Sequence, residues 1–150
     1  MEQGDKLAAF SRDRSLGWLL AVVHSRAADQ LDERLQKVGL NLGMWPTLMM
    51  LWEEEGLTQV ELASRCMTAH YTTTRVLDSL EKKQLVERRK HPTSRRSHLI
   101  YLTDEGRALK SALIAEAMDV NDSLLSVLQP QEQQQFLSLL AKMVAAGSAD

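Results

Sequence analysis

The chain has 150 residues, 44% hydrophobic and 25% charged, with seven Gly, three Pro and one Cys. That length and balance suit one globular body with its own core, and they exclude disordered, collagen-like and disulfide-stapled classes. The net charge of −2 hides a division: nine Lys or Arg face three acids between Arg65 and His98, so that window is about +6 and the remainder about −8, a separation that suits one face meeting a polyanion. Met1–Lys6 has no basic region leading into an apolar stretch. The longest uncharged run, Val38–Trp52, holds Pro46 and is too short for a bilayer, so a cytoplasmic chain without a membrane span is expected.

From Ser15 to Val38, apolar residues at 16, 20, 23, 27, 31, 35 and 38 trace one stripe of a long amphipathic helix, and Gly39 is placed to stop it. A second helix is expected from about Leu42 to Glu54, with Pro46 in its first turn and Gly56 beyond its end. Its Met44, Trp45, Leu48, Met49, Leu51 and Trp52 mark it as central core. Thr58-Gln59-Val60-Glu61 has the S/T-x-x-E form of a capping box and starts a short helix. Thr68 is the expected cap of the next helix, from about Ala69 to Lys83. There Ala69, Thr73, Val76, Leu77 and Leu80 fall on one side, and His70, Tyr71, Thr74, Arg75 and Asp78 on the other, with Thr72 near the boundary. A short helix, a turn and a longer helix with a polar face form a helix-turn-helix pattern.

Leu85–Lys90 and His98–Leu102 read as two strands joined by a polar loop that bears Pro92, Arg95 and Arg96. A basic hairpin directly after a helix-turn-helix is a winged helix: the helix suits the major groove, and a thin cationic loop suits the minor groove. Thr103 then caps a helix carried by apolar positions 109, 113, 117, 120, 124 and 127 to about Leu128. Pro130 opens a last helix striped by Phe136, Leu137, Leu140, Met143 and Val144. The expected class is mainly α with a small β-hairpin wing: a winged helix-turn-helix core at about 42–103, flanked by N- and C-terminal helices at about 15–38 and 104–146 that form one domain with it. These end stripes would either close a monomeric core or pair two chains.

Three ordered motifs carry a family resemblance. They are Thr58-Gln59-x-Glu61-Leu62-Ala63, then Thr74-Arg75-x-x-Asp78-x-Leu80-Glu81-x-x-x-Leu85-Val86-x-Arg88, then Arg95-Arg96 followed by Leu102-Thr103-x-x-Gly106. In this order they resemble the MarR family of bacterial transcription regulators. The resemblance implies a homodimer with intertwined terminal helices and two winged helices offered to double-stranded DNA. By position it implies a recognition helix holding His70, Tyr71, Thr72, Thr74 and Arg75, and a wing holding Arg95 and Arg96. It also implies a repressor released from a palindromic operator by a small-molecule effector, for which Trp18, Trp45 and Met49 are candidate pocket residues.

Two positions depart from the family pattern. Ser94 stands where an Asp usually precedes the Arg pair, which should loosen the wing by removing a charge-assisted bond. Gln84 stands where Gly usually ends the recognition helix, at a cost of roughly 1 kcal/mol if the backbone there is left-handed. Lys82, Lys83, Arg88, Arg89 and Lys90 are expected to supply general field or backbone contacts. Cys66 reads as a small hydrophobe, and the four His lack ligand spacing, so no metal or cofactor is expected. No phosphate loop, HExxH or GxSxG motif is present, which argues against an enzyme. A winged-helix module that binds protein in place of DNA is the rival reading, supported by the acidic remainder of the chain.

Overall fold

The computed structural model describes residues 11–147; the Met1–Lys6 stretch considered above lies outside them. After a 3-10 turn at Arg12–Arg14 come α1 (Leu16–Gln36), a second 3-10 turn (Leu42–Met44), α2 (Trp45–Glu53), β1 (Leu57–Thr58), α3 (Gln59–Arg65) and α4 (His70–Lys82). Then follow β2 (Val86–Lys90), β3 (His98–Leu102), α5 (Asp104–Ala108), α6 (Lys110–Leu125) and α7 (Pro130–Gly147). The described residues divide into two compact units, Ala28–Ala117 and the terminal segments 11–27 with 118–147. Leu31, Leu35 and Leu113 are buried, and Arg34 donates to Glu116 at 2.8 Å within the central unit.

The central unit is built on leucines. Leu35, Leu48, Leu51, Leu62, Leu77 and Leu80 are fully buried together with Ile100 and Leu102 of β3. Each such side chain contributes about 1.5–3 kcal/mol. Hence α1, α2, α3, α4 and the sheet share one core. Both tryptophans of α2 lie in it, ring centroids 5.8 Å apart and nearly perpendicular, the edge-to-face arrangement that aromatic quadrupoles favour. Pro46 occupies the first turn of α2, as expected.

Three helices end in the same way. At Gly39 (φ +74°), Met67 (+51°) and Gln84 (+59°) the backbone turns left-handed. In each case the flanking N–H groups bond back across the last turn, as in Leu40 N to Leu35 O, Thr68 N to Ala63 O, and Leu85 N to Leu80 O, each 3.0 Å. This is the Schellman closure, and buried pairs such as Leu35 with Leu40 and Leu80 with Leu85 supply its apolar contact. The turn between α3 and α4 therefore rests on a left-handed Met67. That displaces the expected cap of α4: Ala69 takes the extended N-cap position, while the Thr68 hydroxyl pairs with Thr73 Oγ1 at 2.9 Å.

The capping box at the start of α3 is formed, with Thr58 Oγ1 accepting from Glu61 N–H and Glu61 accepting from Thr58 N–H at 2.7 Å. The Thr58 backbone N–H and hydroxyl, both donating to Glu61 Oε2, hold the Glu61 carboxyl below the ordinary carboxylate value. The expected hairpin is present, with Val86 opposite Leu102 and Lys90 opposite His98. It also gains a third strand: β1 pairs antiparallel with β3, Leu57 opposite Ile100, giving the order β1-β3-β2.

The single helix expected from 104 to about 128 is interrupted at Leu109, giving α5 and α6. Gly106 explains the break. A Cβ on it would stand 2.2 Å from the Leu85 carbonyl oxygen, and its own carbonyl accepts the Trp52 indole N–H at 3.0 Å. Lys110 Nζ then donates to Trp52 O at 3.2 Å. Thr103 caps α5 as expected, accepting from Gly106 N–H, and its hydroxyl donates to Gln84 O at 2.7 Å.

Glu55 fastens α5 to the sheet: it accepts from Leu102 N–H at 2.8 Å and from two nitrogens of Arg107 at 2.8 and 3.0 Å. The Arg107 hydrogen bonds hold the Glu55 carboxyl below its ordinary value of 4.5. Its contribution to stability is therefore complete above pH 4.5 and disappears as pH falls through the lowered folded value. Glu55→Gln is expected to be less stable than the parent at neutral pH, with the gap in urea midpoint closing as pH falls below about 4.5. Gln84→Gly is expected to raise stability by about 1 kcal/mol, read by thermal or urea unfolding, because it relieves a left-handed residue that carries a Cβ.

Candidate nucleic-acid interface

The two faces of α4 follow its sequence. Thr73, Leu77 and Leu80 are buried, and His70, Tyr71, Thr72, Arg75 and Asp78 are exposed, as expected. Val76 and Thr74 are half-buried, while Ala69 is exposed against expectation because it precedes the first helical turn. The exposed face is organised. The Arg75 guanidinium lies 4.7 Å from the centre of the Tyr71 ring, a cation–π contact that restrains both side chains. Thr74 donates its hydroxyl proton to His70 O at 3.0 Å and accepts from Gln59 Nε2.

Arg95 and Arg96 sit exposed in the loop between β2 and β3. The loop is not held as the family pattern suggests. The amides of Thr93 and Ser94 both donate to His91 Nδ1 at 3.2 Å, and the Ser94 hydroxyl donates to Ser97 Oγ at 3.1 Å. Ser94 thus closes the tip itself, and neither arginine has a hydrogen bond or ion pair among the described residues. A cleft of about 150 Å³ has Gln59 and His70 on its helical side and Arg96 and Ser97 on its wing side. Wing and recognition helix therefore share one depression.

The local acids select which cations remain available. Arg88 bonds Asp78 at 2.7 Å and also Glu81, both on α4, and its side chain is only 19% exposed. Arg89 donates to Glu87 at 2.6 Å and lies 4.0 Å over the Tyr101 ring. Arg65 donates to Glu54 at 2.6 Å. Arg88 and Arg89, expected to supply general field or backbone contacts, are thus each paired with local acids. Among the described residues, Arg75, Lys82, Lys83, Lys90, Arg95 and Arg96 make no ion pair, and these six carry the surplus charge of the window.

The candidate pocket residues are divided between the units. Trp18, in the terminal unit, is half-exposed with Arg12 5.5 Å from its ring. Trp45 and Met49 belong to the central unit, where Trp45 is buried against Trp52 and Met49 is half-buried. Cys66 is partly buried, and burial pushes its thiol pKa up, which disfavours the reactive thiolate. Among the described residues no cluster of three or more metal-ligating side chains occurs, and no helix is long and apolar enough to cross a membrane. Sequence reasoning passed over Gln59 as a site residue, although its motif was visible; only the approach of α3 to α4 shows what its amide meets.

A helix-turn-helix closed by a three-stranded sheet, with a polar recognition face beside a cationic hairpin, defines a winged-helix DNA-binding protein. The family model for the MarR family matches residues 40–98. The transcriptional repressor Rv2887 of Mycobacterium tuberculosis is 30% identical over 131 residues, covering 87% of this chain and 94% of that protein. A probable transcriptional regulator from Pseudomonas aeruginosa is similar in structure, with a TM-score of 0.78 and 29% identity over 87% of this chain and 98% of the other. The repressor CouR, solved on a 23-mer DNA duplex, has a TM-score of 0.74 and 28% identity over 88% and 94% of the two chains. The chain belongs to the MarR family, and is a DNA-binding transcriptional regulator rather than an enzyme.

Arg88 gives a direct check on the division of cations. Arg88→Ala is expected to lower stability by about 1 kcal/mol, discounted for the exposure of its two acids, and to leave the salt dependence of DNA binding unchanged. A shallower salt slope in that variant would show that Arg88 contacts phosphate.

Proposed function

We propose that the protein is a cytoplasmic homodimeric repressor that occupies a palindromic operator and releases it when a small molecule binds. The observation that carries the DNA half of this reading is the cleft shared by His70 of α4 and Arg96 of the wing, on elements that also expose Tyr71, Thr72 and Arg75 and the unpaired Arg95. Thr74, half-buried behind them, completes the recognition set. In this reading α4 enters a major groove, where side chains meet base edges, and the Arg pair approaches the adjacent minor groove.

The dimer half rests on the terminal unit. Trp18 and Leu19 of α1, Met118 of α6, and Leu137, Leu139, Met143 and Val144 of α7 are all about half-exposed or more, and α7 has no buried residue. An amphipathic helix owes most of its stability to a covered apolar face, and a second copy of the same chain supplies that cover with two-fold symmetry. A two-fold dimer matches a palindrome with half-sites about one helical turn, roughly 10 bp, apart. Release by an effector rests on family membership. A ligand that prefers a dimer with mis-spaced recognition helices would shift the population away from DNA.

The test is selection from a random pool of short duplexes at two salt concentrations. A palindrome should be enriched, with affinity falling about 10³- to 10⁵-fold between 50 and 200 mM salt for roughly six to ten phosphate contacts. Arg75→Ala combined with Arg96→Ala should abolish selection while leaving the sedimentation of the dimer unchanged. Retained selection in that double variant, or no enriched sequence with the parent protein, would count against the reading.

A further inference from the structure

We infer that Gln59 is a specificity-determining positioning residue: its side-chain amide fixes the imidazole of His70 as an Nδ1–H donor for base reading. The inference rests on the DNA-binding reading above and concerns how one member of the recognition face is set. It follows from counting protons. A Thr hydroxyl has one to give, and Thr74 gives it to His70 O at 3.0 Å. Towards Gln59 that oxygen can only accept, so the Gln59 group facing it is the NH₂, as observed. The same NH₂ lies 3.4 Å from His70 Nε2. A donor there requires a lone pair on Nε2, which leaves the ring proton on Nδ1.

Two features separate this from ordinary helix packing. The start of α3 is already closed by the reciprocal bonds of Thr58 and Glu61, so the Gln59 amide has no capping duty. His70 is also exposed in the first turn of α4 and lines the cleft shared with Arg96. With its proton held on Nδ1, the ring offers DNA a donor only, selecting acceptors such as guanine N7 or O6, adenine N7 or thymine O4 against the donor amino groups of cytosine and adenine. Gln59 acts on the base through His70 and needs no DNA contact of its own.

The test reads tautomer and base preference separately, on the full-length protein. Long-range ¹H–¹⁵N correlation of the His70 ring at neutral pH should show Nδ1 protonated in the parent. Gln59→Glu, which presents only acceptors, should move the proton to Nε2, and Gln59→Ala should release the preference. An Nε2–H ring in the parent, or a ring unmoved by Gln59→Glu, overturns the inference. In duplex selection, Gln59→Ala should lose about tenfold or more of discrimination at the base position that His70→Ala also relaxes, with the remaining positions and the salt slope retained. A Gln59→Ala protein that keeps every base preference overturns the inference even if its overall affinity falls. Failure of the DNA reading itself looks different: the parent then enriches no sequence, and the inference falls with it.

Discussion

The central unit turns on the meeting of Trp52 with Gly106. The indole N–H donates to the glycine carbonyl at 3.0 Å, and the absent side chain lets the backbone press against Leu85 O at a distance no Cβ could occupy. This contact joins α2 to α5 and places both against the segment leading from α4 into the wing. A buried indole N–H without a partner would cost about 1–3 kcal/mol, so the arrangement has a strong preference for one geometry. Thr103 and Glu55 act on the same junction, the first tying α5 to the end of α4 and the second tying it to β3. α4 and the hairpin are thereby both tied to one corner of the central unit.

Electrostatics on this frame are selective. The three acids of the basic window all lie against arginines of the same window, two of them holding Arg88 between α4 and β2. Charge that looks like surplus in the sequence is therefore partly internal scaffolding. What remains unpaired lies on α4, just after it, and in the wing. The wing tip is stabilised by the His91 imidazole and a pair of serines, which leaves both wing arginines free of the acid that the family pattern would place beside them.

Non-glycine residues in left-handed conformation recur at both ends of the recognition helix, Met67 before it and Gln84 after it. Each costs on the order of 1 kcal/mol relative to glycine, offset by the closed hydrogen bonds and apolar contacts around it. These two turns set where α4 begins and ends, and with it which residues stand at its exposed first turn.

The sequence by itself determined the helical stripes, the Thr58 capping box, the stop at Gly39, the strand His98–Leu102 and the polar face of α4. These are written in local periodicity and in side chains that bond to their own neighbouring backbone, so they were legible without a fold, and the ordered motifs made the family legible too. Only the tertiary structure decided the rest. β1 is two residues long and shows no alternation; it exists because Ile100 and Leu99 lie opposite it. The helix break at Leu109 depends on Trp52, more than fifty residues away in sequence. Arg88 and Arg89 could not be told from Arg95 and Arg96 by composition, because an ion pair is a property of distance. Gln59 shows the same limit at the site itself: its motif was visible, but which proton it places on His70 depends on three side chains brought together by the packing of α3 on α4.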